Sequence, residues 1–143
     1  MYLTEHFTLE EMTVSETAAR RGIDNQPDTR VLGNLRWLCA TLEQVRELVG
    51  APVLVSSGFR SMELNEEIGG SPGSAHTEGL AVDFNVPGLT PAALAQRLAD
   101  SDLVFDQLIL EYDQWVHLSV ARGQPRRQLL TVRKGTGYLP GLV

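Results

Sequence analysis

The sequence predicts an α+β fold, a single domain in which N-terminal helices pack a largely antiparallel β-sheet. Three observations lead there. Helical periodicity and capping signals dominate as far as Val49, and period-two alternation clusters after Leu80. No repeat, linker or low-complexity tract divides the 143 residues, a length that suits one hydrophobic core. The single domain is expected over residues 1–143, with its core at about 5–134 and a flexible tail at 135–143 that shows no periodicity.

The elements follow in order. Thr8-x-x-Glu11 and Thr13-x-x-Glu16 both have the capping-box pattern, so two short helices should open the chain, the second stopped by Gly22. Asn25-Gln26-Pro27-Asp28 leads into a long amphipathic helix from about 28 to 49. Its apolar positions Val31, Leu35, Leu38, Leu42, Val45 and Val49 recur at three and four residues, and Gly50 with Pro52 closes it. Pro52 to Ser57 is a strand, with Arg60 just beyond its end, and Ser61 to Ile68 suits a short helix. Gly69-Gly70-Ser71-Pro72-Gly73-Ser74 is a loop that delivers His76. It lacks the Gly-Lys-Ser/Thr ending of a phosphate loop. Leu80 to Val86 is a strand, and Thr90 caps a helix from Pro91 to Ala99. Strands at Phe105–Tyr112, Trp115–Ala121 and Gln128–Arg133 complete the sheet.

Composition narrows the function. With 43% hydrophobic and 21% charged residues the chain reads as an ordinary globule, and no apolar run approaches the ~20 residues that span a bilayer, so no membrane insertion is expected. The opening Met-Tyr-Leu-Thr-Glu-His-Phe is not a secretory signal, so synthesis in the cytoplasm is expected. A net charge of −6 argues against general nucleic-acid binding. The charge is uneven, because no acidic residue follows Asp113 while Arg122, Arg126, Arg127, Arg133 and Lys134 do. That segment is either a solvated basic edge or a patch for an anionic polymer through Arg122, Arg126 and Arg127. Cys39 is the only cysteine and sits in an apolar run, which suits a buried thiol and rules out an intrachain disulfide. A monomer is expected.

Two segments carry the chemistry. Ser74-Ala75-His76-Thr77-Glu78-Gly79-Leu80-Ala81-Val82-Asp83 is answered downstream by Trp115-Val116-His117-Leu118-Ser119. Together they supply two imidazoles and one carboxylate, the ligand set of an open zinc site. The chain holds three histidines in all, so few other metal constellations can be drawn. His6 is expected at the N-terminal surface. Ser57, Ser61 and Ser74 are poor nucleophile candidates, since only the distant His6 is free to activate them.

The frame Ser-x-His-x-x-Gly-x-Ala-x-Asp followed by Trp-x-His-x-Ser resembles the zinc D-Ala-D-Ala carboxypeptidases and their phage endolysin relatives, including L-alanyl-D-glutamate endopeptidases. These share a fold with the hedgehog signalling domain. The resemblance reaches upstream to Ser57-Gly58-Phe59-Arg60-Ser61, to Leu64-Asn65 and to His6-Phe7-Thr8-Leu9-Glu10-Glu11, covering roughly residues 5 to 121. It implies one zinc per chain on His76, Asp83 and His117, substrate contact by Arg60, and Glu111 as general base, six residues before His117. In other branches the acid lies three residues before that histidine, where this chain has Gln114. Some relatives also carry a histidine where this chain has Trp115.

Strand alternation tests the assignment of Glu111. Val116, Leu118 and Val120 form one apolar face and Leu108, Leu110 and Tyr112 another, leaving His117, Ser119, Gln107 and Glu111 opposite. A two-residue turn at Asp113-Gln114 would pair Leu110 with His117 and send Glu111 to the wrong face. A three-residue loop, Asp113 to Trp115, or a bulge pairs Glu111 with His117 and gathers Glu111, His117 and Ser119. That register is favoured.

The function expected from the resemblance is hydrolysis of peptide bonds in peptidoglycan stem peptides, as a D,D-carboxypeptidase or as a phage-type endopeptidase. It would act at the bacterial wall after phage-mediated release or as a virion component. Two alternatives stay open: a non-catalytic zinc-stabilised module binding wall or protein, and a virion structural protein with wall-degrading activity.

Overall fold

The computed structural model describes residues 1–143 and is α+β, with helices on one face of an open mixed sheet. Five helices, α1 (Leu9–Thr13), α2 (Glu16–Arg21), α3 (Thr29–Val49), α4 (Met62–Glu67) and α5 (Pro91–Ala99), accompany six strands. The strands are β1 (Leu54–Ser57), β2 (Ala81–Asn85), β3 (Gln107–Glu111), β4 (Trp115–Ser119), β5 (Gln128–Arg133) and β6 (Gly137–Pro140). No helix is long and apolar enough to cross a membrane.

Local signals explain most element ends. Thr8 and Glu11 form the full capping box of α1, Asp28 caps α3, Ser61 caps α4, and Thr90 with Pro91 opens α5. One expected cap is different. Thr13 lies in the last turn of α1 and its hydroxyl donates back to the Leu9 carbonyl, so Ser15 caps α2 instead. The tail, which has no visible period, forms β6 because it finds the free edge of β5.

The strand order is β1-β2-β4-β3-β5-β6. Every pairing is antiparallel except β3 with β5, since residues 120–127 cross over and return parallel to β3. Arg127 holds this crossover: its guanidinium donates to the carbonyls of Leu103 and Ser101 and lies 4.7 Å from the centre of the Phe105 ring.

Alternation sorts the sheet into two faces. Val82, Phe84, Leu108, Val116 and Leu118 face the helices, packing with Leu35, Leu38, Leu42 and Val45 of α3 and Leu94 and Leu98 of α5. Cys39 lies in this core, where burial first, then the charges of Glu11 and Glu43, pushes its thiol up to about 12. It is an inert packing residue. The opposite face carries Asp83, Ile109, Glu111, His117 and Ser119 and stays open to a cleft.

Candidate metal centre

Asp83 on β2 and His117 on β4 are direct cross-strand partners, so they share the open face as neighbours. His76 arrives from the single 3-10 turn Ala75–Glu78, which Ser74 caps and Gly79 ends in the left-handed region at φ 71°. Glycine is needed there twice over: a side chain would be strained at that φ, and its Cβ would sit 2.8 Å from Val31 Cγ1. The turn is anchored on α3, where buried Asn34 donates to the Glu78 carbonyl (2.8 Å) and accepts from Arg122 Nε (2.7 Å).

The donor atoms of His76, Asp83 and His117 all lie within 4.8 Å of one another. His76 Nε2 is 3.4 Å from Asp83 Oδ1, and His117 Nδ1 is 2.9 Å from the same oxygen. Ligand bonds of about 2.0–2.1 Å in a tetrahedron place donors roughly 3.3 Å apart, and the two separations from Asp83 Oδ1 lie close to that value. The tautomer of His76 is also set. Its Nδ1–H donates to the Gly58 carbonyl at 2.7 Å, which leaves Nε2 with its lone pair aimed at the cluster. A carbonyl behind a ligating histidine is a recurrent outer partner in zinc sites. At Asp83 burial acts to raise the pKa, but the adjoining His117 and His76 rings outweigh it and hold the carboxyl well below the usual range. The donor set suits one Zn²⁺ per chain.

Glu111 does share a face with His117, but the register differs from the expected one. Glu111 lies opposite Trp115, and Ile109 lies opposite His117. The loop has three residues, as expected, yet starts one residue earlier, at Tyr112. Tyr112 and Asp113 both have positive φ (57° and 55°), and Gln114 N–H donates to the Glu111 carbonyl, the signature of a type I′ turn. A shift of two residues preserves the face, so Glu111 Oε1 still comes within 3.9 Å of His117 Nδ1. The register also makes a contact that sequence alone does not reveal: Trp115 Nε1–H donates to Glu111 Oε1 at 2.9 Å. Trp115 orients the carboxylate.

Arg60 sits half-buried on the other side of His76 and lines the same cleft. Its backbone N–H donates to the His76 carbonyl, while buried Asn25 clamps both neighbours, donating to the Phe59 carbonyl and accepting from the Ser61 N–H. The guanidinium forms no ion pair. Its only hydrogen bond is a 3.5 Å contact to Ser74 Oγ, and its buried Nε has no partner. Burial pulls its pKa down from the ordinary value, opposed by the charges of Asp83 and Glu111. Its planar fork therefore has donors that no group of the chain satisfies.

The cleft around these groups measures about 750 Å³. The glycine-rich loop Gly69–Ser74 forms one wall, and Asp106, Leu130, Arg126 and Tyr138 contribute to the other. The other candidate residues lie elsewhere or have structural partners. His6 contacts Glu43 of α3 at 2.7 Å. Ser61 and Ser74 use their hydroxyls as caps. Arg122 stacks 5.1 Å over the Trp37 ring, Arg126 chelates Asp106, and Arg133 pairs with Asp113. Asn25 and Asn34 brace the segments that carry Arg60 and His76, and Tyr138 lines the cleft, yet no sequence pattern marks them; Gly58 lies in a motif that does not show it as the partner of His76. Only the long-range contacts reveal them.

The family model described as Peptidase M15 matches residues 5–119 of this chain. Comparison with curated proteins gives no significant match.

Proposed function

The chain belongs to the peptidase M15 family and is a zinc-dependent peptidase, and from that premise we propose that it hydrolyses peptide bonds in peptidoglycan stem peptides. The observation that carries this proposal is the placement of Glu111 within 3.9 Å of His117, in the same cleft as the unpaired guanidinium of Arg60. A non-catalytic binding module has no use for that pairing of a base and an anion hook.

In this proposal His76, Asp83 and His117 hold the metal. Zinc bound there would lower the pKa of a water in its open position to about 7 and polarise the scissile carbonyl. Glu111 accepts the proton of the attacking water and returns it to the leaving amine. Trp115 holds Glu111 Oε1 by its indole N–H, so one carboxylate oxygen is fixed and the other is free to take the proton. Arg60 receives a substrate carboxylate, either the terminal D-Ala group or the α-carboxylate of D-Glu, through its unpaired donors. Anionic wall polymer at Arg122, Arg126 and Arg127 is the lesser part of the proposal, because each guanidinium already has an internal partner.

Mass spectrometry of a stem pentapeptide incubated with the zinc-loaded protein tests this directly, since that peptide contains both the amide beside D-Glu and the D-Ala–D-Ala bond. Cleavage at one of these bonds into two fragments, abolished by chelator and restored by zinc, is expected. An uncut pentapeptide would remove the proposed substrate.

A further inference from the structure

The family match ends at Ser119, yet the cleft does not. The crossover brings β5 alongside β3, and β6 adds to β5, so both strands extend the open face beyond the matched region. In register across the sheet, Trp115 lies opposite Glu111, Glu111 opposite Val132, and Val132 opposite Tyr138. These four share one face, because directly paired residues point the same way. Tyr138 thus stands two strands from Glu111, on the side away from Arg60.

Between them lies a small apolar floor. Ile109, Leu130 and Val132 form a buried cluster separate from the main core, and Ile109 and Leu130 line the cleft. Tyr138 borders it, 62% exposed, with no hydrogen bond to its hydroxyl in the structure. An aromatic ring on an edge strand adds nothing to the core from there. It is placed to meet something that enters the cleft.

We propose that Tyr138 is a substrate-binding residue: its phenol O–H donates to a peptide carbonyl of the segment that runs from Glu111 across β5, while Leu130 and Ile109 carry the apolar side of that segment. The β5–β6 hairpin is then this chain's own specificity wall, set against the part of the substrate that Arg60 does not hold. The phenol is suited to donating, since burial, followed by the charges of Glu111, Tyr112 and Asp83, pushes its pKa above the ordinary value and keeps the proton on. The inference rests on the proposed peptidase function.

Tyr138→Phe and Tyr138→Ala in the zinc-loaded full chain test it, with the stem pentapeptide as probe. Loss of one neutral hydrogen bond should raise KM about threefold to tenfold in Tyr138→Phe with kcat nearly held, and Tyr138→Ala should raise it further. Zinc content and Tm should not move. Pentapeptide binding measured in Glu111→Gln, with and without Tyr138→Phe, should weaken by the same factor without any turnover. Wild-type cleavage with KM within twofold in Tyr138→Phe, or a fall in kcat alone, overturns the role of Tyr138 and leaves the substrate intact. A wild type that neither binds nor cuts the pentapeptide overturns both.

Discussion

Replacing Gly58 with Ala should damage the metal centre from outside the ligand set. A Cβ at this position would lie 2.4 Å from the Met12 carbonyl oxygen and 3.0 Å from two further backbone atoms of Met12. Backbone cannot swing aside as a side-chain tip can, so the two segments must separate by roughly 1 Å to reach ordinary contact distance. The adjacent Phe59 N–H···O=C Met12 bond of 2.7 Å would break. Strain and the broken bond together should cost about 2–4 kcal/mol. For a chain of this size that lowers Tm by roughly 6–15 °C. The same movement displaces the Gly58 carbonyl that holds His76 Nδ1–H, and losing such an outer partner typically weakens metal binding about 10–100-fold. Calorimetry of the zinc-free and zinc-loaded variant, with zinc affinity from chelator competition, measures both effects. Gly33→Ala is the control: that glycine is in α3 with nothing within 4 Å of where an added methyl would sit, so it should be neutral or gain about 0.5–1 kcal/mol. If Gly58→Ala keeps both Tm and zinc affinity at wild-type values, the coupling between the Met12 contact and the His76 tautomer is wrong.

Glu111→Gln should lower kcat about 10²–10⁴-fold while zinc content and Tm stay unchanged, because the amide keeps the shape and cannot take a proton; retention of half the wild-type rate would remove Glu111 as the base. Arg60→Lys keeps the charge but loses the fork, so steady-state kinetics should show a KM raised about tenfold or more, and near-normal constants would make Arg60 a structural residue. Zinc affinity should fall in acid because imidazoles must be neutral to ligate. Asp83 has a depressed pKa, so its contribution persists as pH falls past the usual carboxylate value and is lost only below that. Chelator competition across mildly acidic pH should therefore show at most about two protons taken up per zinc released, one for each imidazole; a slope of three would mean that Asp83 titrates too.

The helices, the faces of the strands and the three ligands were legible in the chain before any folding was known. Capping residues and a three-to-four period are local, so α3 and α5 could be read almost to their ends. The ligand set could be read because the frame around His76, Asp83 and His117 resembles that of a zinc peptidase family and histidine is scarce here, and strand parity ties His117 to Glu111 whichever even register forms. Parity fixes the face but not the partner. It took the assembled sheet to set Glu111 opposite Trp115, because the turn at Tyr112-Asp113 is chosen by backbone conformation together with the neighbouring β5. The Gly58 carbonyl behind His76, the clamps at Asn25 and Asn34, and the internal partners of the arginines all join residues far apart in sequence. No periodicity announces such contacts. The same holds for β6 and Tyr138: an unpatterned tail becomes a strand because an unpaired edge of β5 offers its hydrogen bonds, and that edge exists only once the sheet has assembled.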